Sequence, residues 1–423
     1  MACGVPRQFA KGHEGRALYH AIANNPVFTH HHMGFALYDP AAYDWLCQYH
    51  ADQYFTPASN MKLLTLLSCL HVLEDSIVTY RYLVQADTMF FSGAGDPSFL
   101  YDLIPSSSYP FAFLKAFPGR VVYLAGEAID PYGPGWAWDD YRYAFQVERS
   151  LFPVYGNRIT VTVDGHRTLK ISPPYFGSYF LENDQQGEKL ERDPFANAFS
   201  VNTNLILPDD TLEIPFIVSD FELTRMLADT LGRPVQLSYA TFDQHAPVTR
   251  VFGASRDSLL KEMMQLSDNF TAEQLLMQCA YEMRGTFQSD TAIAIAERML
   301  VQGSPDPFVW VDGSGLSRYN LATPRSLVWL LAQIQTMTSQ DYIEDIFAAG
   351  GVSGTLAGWY GADAPFVYAK TGTLSHQLNL SGFLRTDSGR WLIFSFMHNN
   401  LRDTPDIVRK EIDRVLREIK ADF

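Results

Sequence analysis

The sequence has few basic residues and no long apolar run. Its 423 residues include 32 Lys and Arg against 47 Asp and Glu, so the formal net charge is −15 and the pI is near 5.1. A nucleic-acid partner requires a basic surface, and this charge balance therefore argues against nucleic acid as a partner. No apolar stretch approaches the ~18 residues that span a bilayer, and the first residues lack the apolar segment of a secretion signal. We therefore expect a soluble chain.

Cysteine is scarce, and its spacing is not that of a metal or redox site. No Cys-x-x-Cys pair occurs among the four cysteines, which are Cys3, Cys47, Cys69 and Cys279. Zinc sites and redox motifs use closely paired thiols, so we expect buried apolar thiols here. The start "MACG" also resembles a trimmed lipoprotein precursor, in which Cys3 would carry a lipid that anchors the protein at a membrane surface.

A histidine run, His30–His32, is the other candidate for metal binding. No acidic or cysteine residue lies at ligand spacing from it, so we interpret the run as a solvated loop. The sequence predicts no metal and no other cofactor.

Composition and length indicate a folded protein of more than one domain. Hydrophobic residues make up 47% of the chain and charged residues 19%, as in ordinary globular proteins. A length of 423 residues exceeds the usual size of a single domain. From about residue 76 to residue 243 the sequence is rich in strand-forming residues, aromatics and turn formers. We therefore predict a mostly β inserted domain over 76–243 and a discontinuous domain over 1–75 and 244–423.

The two ends of the chain carry patterns that fit one antiparallel sheet. Near the start a short helix, "RALYHAIANNP", precedes two strand candidates, "MGFALYD" and "YDWLCQYH". Near the end three strand candidates, "FVYAKTG", "LSGFLRT" and "RWLIFSFM", precede an amphipathic helix. The predicted apolar side of that helix consists of Ile407, Ile412, Val415, Leu416 and Ile419. The predicted fold class is therefore α+β, with an antiparallel sheet that is flanked by helices and joins the two ends.

A charged residue stands inside an apolar run at "PASNMKLL". Ser59 follows a Pro-Ala pair typical of a helix N-terminus, and the run beyond it leaves almost no polar face. Residues three apart share a helix face, which places the Lys62 amine near the Ser59 hydroxyl. Burial disfavours the ammonium form and lowers the pKa of a lysine, so a neutral Lys62 amine can accept the serine proton. We therefore predict Ser59 as a nucleophile and Lys62 as its base.

Two further short motifs follow in chain order. Ser267–Asn269 form "SDN" between two helical stretches, and Lys370–Thr373 form "KTGT" in a predicted strand. Each motif alone is weak evidence for an active site. Ser-x-x-Lys recurs at Ser258–Lys261 in a polar helix, and Ser-x-Asn recurs at Ser200–Asn202 in the inserted region. Ser-x-x-Lys, Ser-Asp-Asn and Lys-Thr-Gly in this order are the signature set of active-site serine penicillin-binding proteins and β-lactamases.

Together the motifs describe an acyl-transfer site. The serine attacks a carbonyl, a second hydroxyl passes a proton to the leaving amine, and a cationic lysine with hydroxyls holds a substrate carboxylate. Gly372 lets the strand edge approach the substrate closely. The backbone N–H groups of Ser59 and Thr373 are the predicted oxyanion hole.

Four longer stretches extend the pattern over most of the chain. They are "SGAGDPSF" (92–99), "GPGWAWDD" (133–140), "VDGSGLSRYNLATP" (311–324) and "GVSGTL" (351–356). With the three motifs, they closely resemble the D-alanyl-D-alanine carboxypeptidase/endopeptidase family, the class C penicillin-binding proteins of low molecular mass. This resemblance implies a β-lactamase/transpeptidase-like catalytic domain with a large insertion between the first two motifs.

The resemblance also implies roles for single residues. Ser59 would be the nucleophile and Lys62 its base, while Ser267 and Asn269 would relay protons and orient the substrate. The terminal carboxylate would be received by Lys370, Thr371 and Thr373, next to Gly372. Asp140 would bind an amino group of the peptide, and capping of a local turn is the alternative interpretation for that aspartate.

The substrates implied by the resemblance are peptidoglycan stem peptides. The family removes a terminal D-alanine or cuts D-alanyl cross-links outside the cytoplasm, in the periplasm or cell envelope, and β-lactam antibiotics acylate its serine. The insertion is short compared with the better-known members. The sequence leaves open the balance between carboxypeptidase and endopeptidase activity.

Two other kinds of function stay open. A hydrolase of esters or β-lactams on the same fold would need an additional water-activating base, which the sequence does not identify. A non-catalytic wall-binding or sensor protein is disfavoured by the intact motif residues. A hydrolase based on Ser314 and a histidine is disfavoured because Gly-x-Ser-x-Gly is missing there.

Overall fold

The computed structural model describes residues 8–102, 104, 107–164, 168–243, 247–402 and 404–423. Cys3, the candidate lipidation site, lies outside these described residues. The strands of the described part are β1 (Gln8–Ala10), β2 (His32–Asp39), β3 (Asp44–Tyr49), β4 (Ser76–Gln85), β5 (Thr88–Gly93), β6 (Arg120–Leu124), β7 (Arg158–Val163), β8 (Leu169–Ser172), β9 (Phe180–Glu182), β10 (Leu190–Arg192), β11 (Phe199–Val201), β12 (Leu212–Pro215), β13 (Val235–Ser238), β14 (Thr249–Ser255), β15 (Ala348–Ala349), β16 (Val367–Leu374), β17 (Gln377–Arg385) and β18 (Trp391–Asn399).

Helices connect and cover these strands. The α-helices are α1 (Gly12–Ala23), α2 (Lys62–Val72), α3 (Tyr109–Ala116), α4 (Asp220–Leu231), α5 (Arg256–Gln265), α6 (Asn269–Arg284), α7 (Ser289–Met299), α8 (Pro324–Met337), α9 (Gln340–Ile346) and α10 (Pro405–Asp422). Short 3₁₀ helices span Phe28–His30, Ala58–Met61, Trp138–Arg142, Tyr155–Asn157, Pro174–Tyr179 and Gly354–Leu356.

The chain divides into two compact units. The terminal unit comprises Met1–His71, Leu260–Asp268 and Ser289–Phe423, and the central unit comprises Val72–Leu259 and Asn269–Gln288. Two boundaries between these units fall within helices, at 71/72 in α2 and at 259/260 in α5. The domain boundaries predicted from the sequence lie instead at 75/76 and 243/244. Those predicted domains, with their catalytic and inserted roles, stay predictions.

The terminal unit is built on a seven-stranded sheet with the order β1-β3-β2-β18-β17-β16-β15. Every neighbouring pair in it is antiparallel. Strand β2 from the start of the chain pairs with β18 from the end, with Phe35 opposite Phe396. The predicted sheet that joins both ends is therefore confirmed, as is the α+β class. Strands β1 and β15, with 3 and 2 residues, are too short for the periodicity to have predicted them.

Both faces of this sheet are covered, because β17 and β18 are buried along almost their whole length. Helices α1 and α10 pack together, and their apolar residues share one core with β2, β17 and β18, while α8 packs against β18 and β2. The apolar side of α10 differs from the prediction at one position. Ile407 is 45% exposed and Val408 is buried instead, because 408, 412, 415, 416 and 419 follow the helical period and 407 does not.

The central unit carries the other sheets of the described residues. A five-stranded sheet has the order β13-β6-β5-β4-β14, and two three-stranded sheets have the orders β10-β11-β9 and β12-β7-β8. Strand β6 pairs in parallel with β5 and β13, so this part is not a simple meander. Its aromatic core includes Tyr80, Phe91, Tyr123 and Phe152. Within the described residues of 76–243 there are ten strands, β4 to β13, and two α-helices, α3 and α4, and the mostly β inserted domain stays a prediction.

Two expectations about side chains had different outcomes. Cys47, Cys69 and Cys279 are buried, as predicted, and burial raises the pKa of the Cys47 thiol to about 12. The solvated loop predicted for His30–His32 is wrong for two of its members. His31 Nε2 lies 2.8 Å from Nδ1 of the buried His398, and His32 begins β2 and stacks on Phe55. Local sequence could not show these distant partners.

Among the described residues, no helix combines the length and apolarity that crossing a membrane would require.

Truncation of Ile412 tests the packing of α10. Ile412 is fully buried, so Ile412→Ala should lower the free energy of unfolding by about 2–5 kcal/mol, as large-to-small core substitutions do. Urea unfolding followed by circular dichroism would measure the change. The matched control is Ile407→Ala on the same helix, which should change stability little; equal losses for both variants would contradict the observed helix orientation.

Candidate active site

Ser59 and Lys62 lie at the start of α2. Ser59 is in the 3₁₀ turn Ala58–Met61, and Lys62 is the first residue of the α-helix that continues it. Lys62 Nζ donates a hydrogen bond to Ser59 Oγ at 3.0 Å. The Lys62 side chain is fully buried, while Ser59 is half-buried. The three-residue spacing therefore brings the amine and the hydroxyl together inside an apolar helix.

The segment before Ser59 is tied to the sheet. Thr56 N donates to Asn399 Oδ1 at 2.7 Å, and Thr56 O accepts from Asn399 Nδ2 at 3.2 Å and from Asn379 Nδ2 at 3.1 Å. Ala58 has a φ of +50°, a left-handed conformation that is uncommon for alanine. The amide side chains of β17 and β18 thus hold the backbone that leads into the serine turn.

A second lysine is buried near the first. Lys370 on β16 is fully buried and donates hydrogen bonds to Ser267 Oγ at 2.7 Å and to Thr371 O at 3.0 Å. Burial, and secondarily the charge of Lys62, holds the pKa of Lys370 well below its usual 10.5. Ser267 itself has a φ of +64°, so the backbone after α5 is turned sharply at this residue. The structure therefore joins the second and third motifs through Lys370 and Ser267.

Gly372 brings β16 against the serine turn. A Cβ atom at this position would lie 2.4 Å from Pro57 O and 2.5 Å from Asn60 Nδ2, far inside contact distance. Only glycine fits this approach without displacing the turn. The predicted need for glycine is therefore explained by contact with the Ser59 turn, whereas the oxyanion donors Ser59 N and Thr373 N stay a prediction.

Hydroxyl groups line a cavity beside β16. Thr371 Oγ1 donates to Thr355 Oγ1 at 2.9 Å, and Thr373 is exposed. A cavity of about 280 Å³ is bordered by these three threonines together with Asn379 and Arg409. Thr355 belongs to the "GVSGTL" stretch, and the family resemblance of that stretch was the only sequence signal for this residue. The cavity offers neutral hydroxyls and one cationic side chain to a ligand.

The carbonyl of Ser314 is a site atom that sequence reasoning missed. It accepts a hydrogen bond of 2.7 Å from Lys62 Nζ. The Ser314 side chain is fully buried, with Oγ donating to Asp312 Oδ2 at 3.3 Å. This burial does not fit the alternative in which Ser314 is a nucleophile. The only sequence signal for this position was the glycine-flanked "GSG". A main-chain carbonyl is present at every residue, so it leaves no sequence signal of its own.

Two predicted site residues, Asn269 and Asp140, belong to the central unit. Asn269 begins α6, and its Nδ2 donates to Phe145 O at 2.9 Å. Asp140 lies in the 3₁₀ helix Trp138–Arg142, where its carbonyl accepts from Tyr143 N at 2.9 Å. The substrate roles predicted for both residues stay predictions.

The competing motif copies have structural surroundings of their own. Ser258 Oγ accepts a hydrogen bond from Ser255 Oγ at 2.6 Å, and Lys261 forms an ion pair with Asp345 while 44% exposed. Asn202 Nδ2 donates to the carbonyls of Asp184 and Gln186 within a turn of the central unit. An exposed ion pair accounts for the lysine of the second Ser-x-x-Lys copy. Hydrogen bonds within a turn account for the asparagine of the second Ser-x-Asn copy.

Within the residues that the structure describes, no three or more His, Cys, Asp or Glu side chains are grouped closely enough to hold an ion.

Comparison with known proteins supplies a family and a fold. Residues 16–186 and 217–420 match the D-Ala-D-Ala carboxypeptidase 3 (S13) family. Over 295 residues the sequence is 25% identical to D-alanyl-D-alanine carboxypeptidase DacB of Haemophilus influenzae, covering 62% of this chain and 60% of that protein. The matched segment thus spans less than two thirds of that relative's length.

Solved structures agree with the fold. Penicillin binding protein 4 of Haemophilus influenzae covers 96% of this chain and 98% of its own, with a TM-score of 0.71 at 20% identity. The same protein complexed with a β-lactam gives a TM-score of 0.67 at 18% identity, covering 96% and 99%. Bd3459, a predatory peptidoglycan endopeptidase from Bdellovibrio bacteriovorus, gives 0.52 at 16% identity and covers 92% of each chain. At these identities the likeness concerns the fold alone.

The lowered pKa of Lys370 predicts a pH-dependent stability. Between that lowered pKa and 10.5 the unfolded chain binds more protons at this residue, so its contribution to stability rises with pH. The free energy of unfolding of the wild type should therefore increase relative to Lys370→Met as the pH rises from neutral towards 10.5. Urea titrations at several pH values would measure the difference.

The control for this series is Lys261→Met, which removes a lysine whose side chain is 44% exposed. Its difference from the wild type should show no comparable trend. A gap between wild type and Lys370→Met that stays constant with pH would contradict the buried state of Lys370.

Proposed function

The chain belongs to the D-Ala-D-Ala carboxypeptidase 3 (S13) family, and we propose that it is a serine-type DD-peptidase acting on peptidoglycan stem peptides. In this proposal Ser59 forms an acyl-enzyme with the penultimate D-alanine, and water then hydrolyses the ester. The observation that carries the proposal is the 3.0 Å hydrogen bond between Ser59 Oγ and the fully buried Lys62 amine.

Acylation begins with proton transfer from Ser59 to Lys62. A lysine can act as this base only in its neutral form, which burial favours over the ammonium. Ser59 Oγ then forms a bond with the substrate carbonyl carbon, and the carbonyl electrons move to oxygen. We assign stabilisation of that oxyanion to the backbone N–H groups of Ser59 and Thr373. The loss of one such donor typically costs roughly 3–4 kcal/mol of transition-state stabilisation.

Collapse of the tetrahedral intermediate requires a proton on the leaving amine. Ser267 suits this relay because its hydroxyl is hydrogen-bonded to Lys370 at 2.7 Å. As the C–N bond breaks, the amine takes the Ser267 hydroxyl proton, and the proton that Lys62 took from Ser59 returns to Ser267. The departing group is D-alanine or the D-amino acid of a cross-link. In our proposal Asn269 orients the peptide, and Asp140 binds an amino group of the stem peptide.

The substrate carboxylate is proposed to bind beside β16. Thr371 and Thr373 border the cavity there and offer hydroxyl donors, and Lys370 lies on the same strand. Since the pKa of Lys370 is lowered in the unliganded protein, a carboxylate placed nearby would favour the return of its proton. Substrate binding would then restore the cation that the family resemblance expects at this residue.

The same site is proposed to react with β-lactams. A β-lactam complex is known for the Haemophilus influenzae protein of similar fold, and a penicillin G-acylated form is known for Bd3459, with TM-scores of 0.67 and 0.51. We further propose that the protein works outside the cytoplasm, in the periplasm or envelope, because its substrate is there. Residues 1–75 and 244–423 would form the catalytic domain, with 76–243 as the insertion.

Covalent capture of a fluorescent penicillin tests the acyl-enzyme. The wild type should form a stable adduct on the peptide that contains Ser59, as located by peptide mass. Ser59→Ala and Lys62→Met should each reduce the rate of adduct formation by up to roughly 10⁶-fold, to background. Removing one member of a catalytic nucleophile–base pair can cost about as much as removing both. The rate is followed by gel fluorescence over time.

Ser258→Ala is the matched control, since it removes the serine of the second Ser-x-x-Lys copy. It should label like the wild type. No adduct in the wild type, or an adduct on Ser258 or Ser314, would overturn the assignment and favour a binding role. Rapid loss of the label would instead favour a β-lactam hydrolase.

A natural substrate distinguishes the peptidase from other hydrolases. The wild type should release free D-alanine from a pentapeptide ending in D-Ala-D-Ala, and Ser59→Ala should release none, because no acyl-enzyme forms. Amino-acid analysis of the reaction would measure the product, and a disaccharide-peptide dimer would report cross-link cleavage in parallel. Turnover of a simple ester with neither peptide cleaved would contradict the proposed substrate class.

A further inference from the structure

The loop before α8 is organised around one buried carboxylate, that of Asp312. This side chain is 1% exposed, and its Oδ1 accepts hydrogen bonds from Gly315 N at 2.9 Å and Asn320 Nδ2 at 2.7 Å. Its Oδ2 accepts from Ser317 N at 2.7 Å and Ser314 Oγ at 3.3 Å. Four donors from one short stretch therefore converge on a single side chain, which fixes the loop's backbone.

The same loop presents two carbonyls to α2. Thr65 Oγ1 donates to Gly313 O at 2.7 Å, and Lys62 Nζ donates to Ser314 O at 2.7 Å. These two acceptors directly follow Asp312 in the chain. The position of the Lys62 amine is thus coupled to the conformation of a loop that lies about 250 residues further along the sequence.

A close backbone contact adds a third attachment. Gly315 has a φ of +83°, and a Cβ atom there would lie 2.0 Å from Ala58 O and 3.0 Å from Ser59 N. The loop is therefore pressed against the turn that carries Ser59. Asp312, which accepts from the N–H of Gly315, holds this contact in place.

The Ser314 carbonyl has a chemical consequence for Lys62. A neutral amine has two N–H groups and one lone pair, and its lone pair must face Ser59 Oγ–H to accept the proton. When one N–H is committed to Ser314 O, rotation of the amine is restricted and the lone pair can be directed at the hydroxyl. We propose that Asp312 is a positioning residue that orients the Lys62 amine towards Ser59 through the Ser314 carbonyl.

The carboxylate chemistry of Asp312 suits this role. An ionised carboxylate has two oxygens with about four acceptor sites, whereas an asparagine side chain has one acceptor oxygen and two N–H donors. Asp312→Asn would therefore face at least two of the four donors with a donor of its own. The loop would move, and with it the Ser314 carbonyl. This inference rests on the proposed function of Ser59 and Lys62 and names the residue that supports them.

Kinetics of penicillin acylation test the proposal on the full chain. Asp312→Asn should lower the rate of the covalent step by about 10–100-fold, since a misplacement of about 1 Å can cost 10²-fold, while the non-covalent affinity stays unchanged. Asn320→Ala, which keeps the charge of Asp312 and removes one donor, should give a smaller decrease of the same kind.

The matched control is Asp306→Asn. Asp306 is another largely buried carboxylate of the terminal unit, 14% exposed, and it binds Arg325 and Thr323 rather than the loop that contacts Lys62. It should lower stability with little effect on the covalent step. Equal rate losses in Asp306→Asn and Asp312→Asn at equal loss of stability would overturn the proposal.

A second measurement does not depend on turnover. The Lys62 signal in spectra of the ε-¹³C-lysine-labelled protein, assigned with Lys62→Arg, should shift in Asp312→Asn and Asn320→Ala but not in Asp306→Asn. An unchanged Lys62 signal in both loop variants would overturn the inference. An unlabelled wild type in the penicillin assay would contradict the proposed function instead, and the lysine spectra would still decide the positioning role.

Discussion

Two fully buried lysine side chains impose the constraint on which the terminal unit depends. A buried ammonium costs several kcal/mol unless hydrogen bonds compensate for the lost water. The contacts of Lys62 and Lys370 include the hydroxyls of Ser59 and Ser267 and main-chain carbonyls. Neutral oxygens compensate only in part, and for Lys370 the effect is a lowered pKa. The Lys370 amine therefore gives up its proton more readily than an exposed lysine does.

The fold delivers the acceptors for these lysines from distant parts of the chain. Ser59 comes from the turn before α2, Ser267 from the turn after α5, and the Ser314 carbonyl from the loop before α8. The antiparallel sheet keeps β16 in register, so that Gly372 touches the serine turn while Lys370 reaches Ser267. A site assembled from four segments is only as precise as the core that holds them, and here both faces of the sheet are covered by helices.

Strongly periodic segments could be predicted from the sequence. The sheet that joins the two ends, the long helix α10 and the proximity of Ser59 to Lys62 all follow from local spacing, because helix and strand periods act over a few residues. Very short strands such as β15 carry too few residues for any period. His31 was wrongly placed in a solvated loop, because its partner His398 lies 367 residues away in the chain.

The sequence by itself determined the order of the motifs, the candidate nucleophile and base, and the family to which the chain belongs. The tertiary structure alone decided which neutral atoms surround the lysines, above all the Ser314 carbonyl and the Thr355 hydroxyl. Every residue has a main-chain oxygen, so the residue type does not indicate which of these oxygens will contact an amine. Only the packing of a loop fixed by Asp312 selects that oxygen.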